Sequence, residues 1–331
     1  MGHYWYRFLC VIGFLLACYV PAVKAQAIET IGNRALGMGG AFVAVASDSS
    51  ATWWNPAGLA AGALFDISLG RVLTESSDIL PARQERASWF AVGTPPLGIS
   101  YYRFSIESIS SSSPTGSVRA VRSLAASQLG VTLLHTIVPG LHVGTTLKYL
   151  RGRLQTGSFE TPLSIDELFG RQLGGDDGSI GTFDADIGLL GVTGPLRIGF
   201  VIRNLTVPSF SANGEQYELP RHARFGVAFD GEQIGKVPLT VAIDVDVNKI
   251  NLLNGGEQRN LSIGTEYWPW RKRLGFRAGT RFNMVTSGQH VLTAGLSFAP
   301  KSGVFIDAFV ARGSTFSVSE TGWGVASRVS F

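Results

Sequence analysis

The sequence holds two cysteines in 331 residues, Cys10 and Cys18, both near its start. Beyond them, disulfides, thiolate catalysis and cysteine metal sites are excluded. Long apolar runs are missing too: past residue 25 no stretch approaches the roughly 20 residues that a spanning helix needs. Charge is scarce, at 16% of residues, where about a quarter is usual. It nearly cancels, to +4, with no run of five or more Lys/Arg, so nucleic acid is not an expected partner. The five histidines are scattered without the spacing of a metal site, and no metal or cofactor is expected.

What is abundant contrasts with these absences. Hydrophobic residues make up 45% of the chain and glycine 41 positions, well above the usual roughly 7% for glycine. Such a chain is too apolar for disorder and too poor in polar surface for an ordinary soluble enzyme. Hydrophobicity without a hydrophobic segment fits a transmembrane β-barrel, in which apolar residues alternate with polar ones.

At the N-terminus, Arg7 precedes an apolar stretch from Phe8 to Val20, and Val23-Lys24-Ala25 offers small residues before Gln26. This pattern predicts a secretory signal over 1–25, cleaved before Gln26. Leu15-Leu16-Ala17-Cys18 is an alternative, a lipobox with lipidation at Cys18. Either way the chain is exported.

After residue 63, alternation with a period of two dominates. Leu239, Val241, Ile243 and Val245 take one face of a segment; Thr240, Ala242, Asp244 and Asp246 take the other. Phe276, Ala278 and Phe282 oppose Arg277, Gly279 and Arg281 in the same way. Fourteen such segments are expected, at 64–72, 86–93, 97–106, 122–135, 141–152, 182–191, 195–204, 221–230, 237–247, 259–268, 273–283, 289–299, 303–312 and 320–331. The even number suits a single-chain barrel.

The connections alternate as well. Short links such as Ile137-Val138-Pro139-Gly140 and Val192-Thr193-Gly194 fall on one side, and longer polar ones such as Thr206–Glu218 and Asn248–Gln258 on the other. The longest link, Arg153–Gly181, includes an expected surface helix over Ser164–Gln172. Short inner turns and long outer loops predict insertion in a bacterial outer membrane, with membrane lipid against the wall. The chain ends on Phe331, a terminal aromatic on an alternating strand. It is the expected signal to the barrel-assembly machinery.

The remaining segment, 26–63, does not read as a strand. Phe42, Val43, Val45, Trp53, Trp54 and Leu59 are too apolar for a solvated tail. Folded back into a fourteen-stranded barrel, which leaves room inside, it forms a plug whose glycines permit close approach to the wall.

The run Gly32-Asn33-Arg34-Ala35-Leu36-Gly37-Met38-Gly39-Gly40-Ala41-Phe42-Val43-Ala44, continuing to Trp54-Asn55-Pro56-Ala57-Gly58-Leu59, resembles the FadL/TodX-type outer-membrane transporters and, at least as closely, their PorV-type relatives. The resemblance implies an N-terminal hatch inside a fourteen-stranded barrel, carrying Gly37, Gly39, Gly40, Trp54, Asn55, Pro56, Ala57 and Gly58 as its motif. FadL/TodX-type members imply a ligand that is a small hydrophobic compound, a long-chain fatty acid or an aromatic hydrocarbon. PorV-type members imply a secretion-system protein as partner. The third strand carries no proline to announce the kink associated with a lateral opening.

Several further residues are candidates for the lumen lining. Tyr102, Phe104, Leu134, Leu150, Phe305 and Phe309 face inward by alternation, to line an apolar route or to pack against the hatch. Asp184, Asp186, Arg197, Arg203, Asp244, Asp246, Arg277, Arg281 and Arg328 are expected as lumen ion pairs, since buried charges require partners. Gly174-Gly175-Asp176-Asp177-Gly178 reads as a solvated turn rather than a calcium loop. A barrel hydrolase would need a Ser/His/Asp cluster at the outer rim, which the sparse histidines do not suggest.

Overall fold

The structure, a computed structural model, describes residues 30–76, 80–111, 118–160, 163–171, 178–212, 215–235, 237–251, 257–269, 273–285, 289–315 and 318–331. The signal over 1–25, both cysteines and most of the 174–178 turn lie outside them.

The alternating segments form one closed antiparallel barrel of fourteen strands. In chain order these are β1 (Asp66–Ser76), β2 (Ala82–Thr94), β3 (Leu97–Ser111), β4 (Val118–Val138), β5 (Leu141–Glu160), β6 (Ile180–Thr193) and β7 (Leu196–Arg203). After a hairpin of β8 (Ser209–Ala212) and β9 (Glu215–Glu218), the wall continues with β10 (His222–Asp230) and β11 (Leu239–Asp246). Then come a small hairpin, β12 (Ile250–Asn251) with β13 (Glu257–Gln258), and the wall strands β14 (Asn260–Tyr267), β15 (Leu274–Asn283), β16 (His290–Lys301), β17 (Val304–Thr315) and β18 (Val318–Ser330). All fourteen expected segments are strands, although β1 starts two residues later than expected and β2 to β5 run further.

Closure removes the edge that an open sheet would leave unpaired. At the seam β1 pairs with β18 from Asp66↔Ser330 to Glu75↔Thr321. Phe331 extends the seam: its N–H donates to the Phe65 carbonyl at 2.9 Å, and the two rings stack at 6.4 Å.

The alternation assigns the faces as expected. Leu69, Phe90, Leu129, Leu147, Ile243, Phe276 and Val325 are exposed on the outside. Asp184, Asp186, Asp244, Asp246, Arg203 and Arg277 are buried on the inside. No helix among the described residues is long and apolar enough to cross a membrane.

The wall is uneven in height. β4 and β5 have 21 and 20 residues, whereas β7, β11 and β14 have eight each. The upper part of the tall side is clasped from outside by the β5–β6 loop. There Leu168 packs with Ala82, Ile109 and Val121. The expected helix over 164–172 is only α3 (Ile165–Leu168) in chain order, after α1 and α2 described below. Ser164 and Glu167 close a capping box, satisfying two end donors reciprocally. The hydrogen bonds from Ser164 hold the exposed Glu167 carboxyl below the usual carboxylate range.

The link between β10 and β11 contains a one-turn helix, α4 (Glu232–Gly235). Thr206–Glu218, read as a polar loop, folds inward as the β8–β9 hairpin, burying Phe210 and Tyr217. Phe210 covers Gly152, which leaves room for the ring because it has no side chain.

Candidate functional site

The N-terminal segment lies inside the barrel. It forms α1 (Asn33–Gly37), α2 (Ala51–Trp54) and a 3₁₀ helix over Pro56–Ala61. Ile31, Met38, Phe42 and Val43 are wholly buried. Its backbone touches the wall where the strands lack side chains. A Cβ added at Gly279 would overlap Met38 and Gly39, and one at Gly144 would overlap Pro56 and Ala57. Of the motif glycines, Gly39 (φ +68) and Gly40 (φ +82) need positive φ, and Gly39 sits directly on the Thr280 backbone. Gly37 meets Gly295 of the wall, whereas Gly58 packs against the Ala46 carbonyl of its own segment.

The motif residues Asn55-Pro56-Ala57 form a turn that clamps the segment. The Asn55 amide donates to the Val43 carbonyl at 2.8 Å and to the Leu189 carbonyl of β6 at 3.0 Å. Its Oδ1 accepts from Ala57 N–H at 3.1 Å, capping the 3₁₀ helix. Trp54 donates to the Ile31 carbonyl at 2.8 Å, holding the two arms of the segment together.

Charged wall residues reach in to grip the same backbone. The Asp244 carboxylate accepts from the N–H groups of both Phe42 and Val43, each at 2.8 Å. Asp66 accepts from Ser49 N–H at 2.8 Å. Arg34 of the segment makes a two-pronged contact with Glu266 of β14, at 2.8 and 2.6 Å, and a bridge to Asp48 at 3.3 Å.

From Glu266 the chain of ion pairs runs on around the wall. Arg277 lies 2.7 Å from Glu266 and 3.5 Å from Asp307. Arg328 lies 3.6 Å from Asp307 and 3.4 Å from Asp66. The chain thus leaves the segment at Arg34 and returns to it at Ser49. Such pairing is what permits these charges to be buried at all.

Of the residues expected as lumen ion pairs, Arg277 and Arg328 join this ring, Asp244 instead accepts from the segment's backbone and Arg203 lies over the Trp53 ring; the others form smaller groups. Lys148 bridges Asp186 at 2.6 Å and Asp184 at 3.0 Å. Asp246 joins His222 at 2.8 Å and Arg224 at 2.7 Å. Arg197 pairs with Asp230 at 2.7 Å and Arg281 with Glu320 at 3.7 Å. Arg34, Glu266, Asp307, Lys148 and Arg224 went unread in the sequence. Alternation alone marks the wall members as inward, since Glu266 shares a face with Ser262 and Gly264; Arg34 sits within the glycine-rich run.

The aromatic candidates mostly pack rather than line an open route. Tyr102 and Phe104 meet Trp53 edge-on at 5.0 and 6.5 Å. Leu150 and Phe309 are buried and Leu134 packs on the same core. Phe305 lies under the Arg328 guanidinium at 4.2 Å and beside Trp268 at 5.8 Å.

Above the segment, toward the β8–β9 hairpin, a small space remains. It has room for little more than one water and is lined by Trp53, Phe104, Gln128, Lys148, Asp186, Arg203, Asn204 and Leu219. Arg203 lies over the Trp53 ring at 4.4 Å. Two donors at this space, Trp53 Nε1 and Gln128 Nε2, are buried without a hydrogen-bond partner among the described residues. Burial also pushes the Tyr217 hydroxyl of the overlying hairpin well above the usual phenol range. The wall beside it is continuous: β3 pairs with β2 and β4 along its whole length without a register shift.

A closed fourteen-stranded barrel, filled by its own N-terminal segment, is the class that this fold and site define. The family described as "F plasmid transfer operon, TraF, protein" matches residues 27–246, and the chain belongs to that family. A comparison with curated proteins finds no match. Among solved structures it is similar to the CymD monoaromatic hydrocarbon channel, with a TM-score of 0.68 and 13% identity, over 93% of this chain and 99% of that one. It is similar to the Pseudomonas putida toluene transporter TodX, with a TM-score of 0.59 and 14% identity, over 93% and 99%. A Pseudomonas aeruginosa FadL homologue gives 0.61 and 10%, over 93% and 100%. At these identities the likeness is one of fold, and it agrees with the FadL/TodX-type architecture expected from the N-terminal run.

Proposed function

We propose that the chain is an outer-membrane channel through which small hydrophobic compounds enter, with residues 26–63 acting as the hatch. The apolar outer band supports placement in a bilayer. The observation that carries the reading is the space at Trp53. It joins an aromatic wall, an apolar edge at Leu219 and two unpaired donors, at the one face of the hatch that the hairpin covers. At rest it has room for little more than one water, so a compound enters only as the hatch shifts, and it is the aromatic lining that suits a hydrophobic ligand. The solved structures' printed names, a monoaromatic hydrocarbon channel and a toluene transporter, support a single-ring compound over a long acyl chain.

Trp53→Ala should weaken binding of a single-ring compound such as toluene about tenfold, the value of one lost aromatic contact. Equilibrium binding to the detergent-solubilised barrel measures this, and unchanged affinity in a correctly folded variant contradicts the reading.

The family description favours a second reading, a barrel that serves a protein-secretion or assembly apparatus in plasmid transfer. That reading expects a stable protein partner in pull-downs and no selectivity for hydrophobic ligands.

Phe331 fits the role of assembly signal, at the seam where the barrel closes. Phe331→Ala should lower the yield of assembled barrel severalfold in cells, scored by the gel shift between unboiled and boiled samples. Refolding from denaturant into detergent should proceed as in the parent chain. Equal losses in both assays would mean that the ring matters for seam stability and not as a signal.

A further inference from the structure

The outer face of the tall wall changes character abruptly along its strands. One register row runs Leu69–Phe90–Tyr101–Leu129–Tyr149–Phe183 across β1 to β6. All six side chains are exposed, and four are aromatic. Aromatic girdles of this kind mark the edge of the hydrocarbon layer.

The next outward row, two residues further toward the loop side, runs Arg71–Ser88–Arg103–Ser127–Arg151–Gly181. Arg71, Arg103 and Arg151 are exposed, and the row contains no carboxylate. They stand on alternate strands, about 10 Å apart at two strand spacings. Arg151 donates through Nε to Ser179 at 2.7 Å, and its outer guanidinium nitrogens have no partner among the described residues. Among the described residues the nearest outward carboxylates on these strands, Glu75 and Glu107, lie two rows beyond the arginines and are engaged: Glu75 accepts from Gln84 at 2.9 Å, and Glu107 from Gly170 N–H at 2.7 Å.

An exposed arginine facing hydrocarbon is costly, and one facing water beside a neutral surface gains nothing. Three such groups, each the outward residue that follows an exposed apolar one on its strand and without acidic neighbours in that row, match fixed negative charge at the margin of the hydrocarbon layer. Guanidinium groups suit phosphate because they bind its oxygens in a two-pronged, planar manner.

We propose that Arg71, Arg103 and Arg151 form a binding surface for the phosphate groups of an outer-leaflet glycolipid, anchoring the tall wall in the membrane. The proposal rests on the outer-membrane placement above but not on the identity of any channel ligand.

The test is native mass spectrometry of the full mature chain in neutral detergent with bisphosphorylated lipid A as probe. Arg71→Gln/Arg103→Gln/Arg151→Gln should weaken binding on the order of 100-fold, from roughly a fivefold loss per basic residue. Arg71→Lys/Arg103→Lys/Arg151→Lys should keep most of it, and dephosphorylated lipid A should bind no barrel tightly. Equal binding of phosphorylated and dephosphorylated lipid, no binding by the parent chain, or no loss in the glutamine variant overturns the proposal. The gel shift confirms that each variant folds. Toluene binding in the same samples reports on the channel reading independently, so failure of one is distinguishable from failure of the other.

Discussion

Valine at both Gly144 and Gly279 should leave a closed barrel that cannot seat its N-terminal segment. The two glycines lie on opposite walls, β5 and β15, and a Cβ at either would enter backbone, not a yielding side chain. Backbone cannot be repacked by a rotamer change, so the segment must move away from both sides at once. Overpacking of this kind costs roughly 2–6 kcal/mol for the pair. The barrel itself should survive, because valine favours strands and the ladder of β4, β5 and β6 or of β14, β15 and β16 is untouched. Expected results are a retained gel shift, rapid protease cleavage within residues 30–62 and large steady conductance in planar bilayers. A silent bilayer and a protected segment would mean that the segment tolerates the intrusion.

Asp244→Ala should have the next largest effect, acting on the same element from a third direction. The substitution leaves the N–H groups of Phe42 and Val43 buried without an acceptor. Each orphaned donor costs about 1–3 kcal/mol, so the displaced state should rise roughly 30-fold or more. Brief channel openings should become frequent where the parent barrel is closed, and protease should cut the segment faster. Asp244→Asn keeps an acceptor oxygen and should show a smaller effect. If alanine and asparagine behave alike and both stay closed, Asp244 does not hold the segment.

Both predictions concern a segment whose location was readable and whose fastening was not. Phe42, Trp53 and Trp54 are too apolar for a tail, and that alone argued for burial inside. Period-two alternation located all fourteen strands because each has one face in the lumen and one outside. It could not say which inward charges meet, since Arg34 finds Glu266 and Arg328 finds Asp66 only through strand order and closure. The β8–β9 hairpin was missed for a related reason. Phe210 and Tyr217 stand among polar residues on strands of four residues each, too short for a period to show. The expected helix at 164–172 is a single turn, Ile165–Leu168, whose Leu168 is buried with Ile109 and Val121, a tertiary contact that local sequence does not show.

The resemblance in the Gly32–Leu59 run pointed to the correct architecture, and Asn55 turned out to have a definite task. It ties the Val43 arm to β6 while capping the helix that follows. A hatch with such a tie, an ion-pair ring and several backbone contacts with wall glycines is held firmly at rest. On the proposed channel reading, passage of a compound therefore requires the segment to shift.

That requirement has a direct test. A Cβ at Gly98 of β3 lies 2.7 Å from Thr52 Cγ2 in α2, within reach of a disulfide. The chain carries no cysteine after residue 18 to interfere. In Thr52→Cys/Gly98→Cys, uptake of a single-ring hydrophobic compound by cells should stop when the bridge is oxidised and resume after a reductant. Equal uptake in the oxidised and reduced states, with the bridge confirmed by mass spectrometry, would contradict a moving hatch.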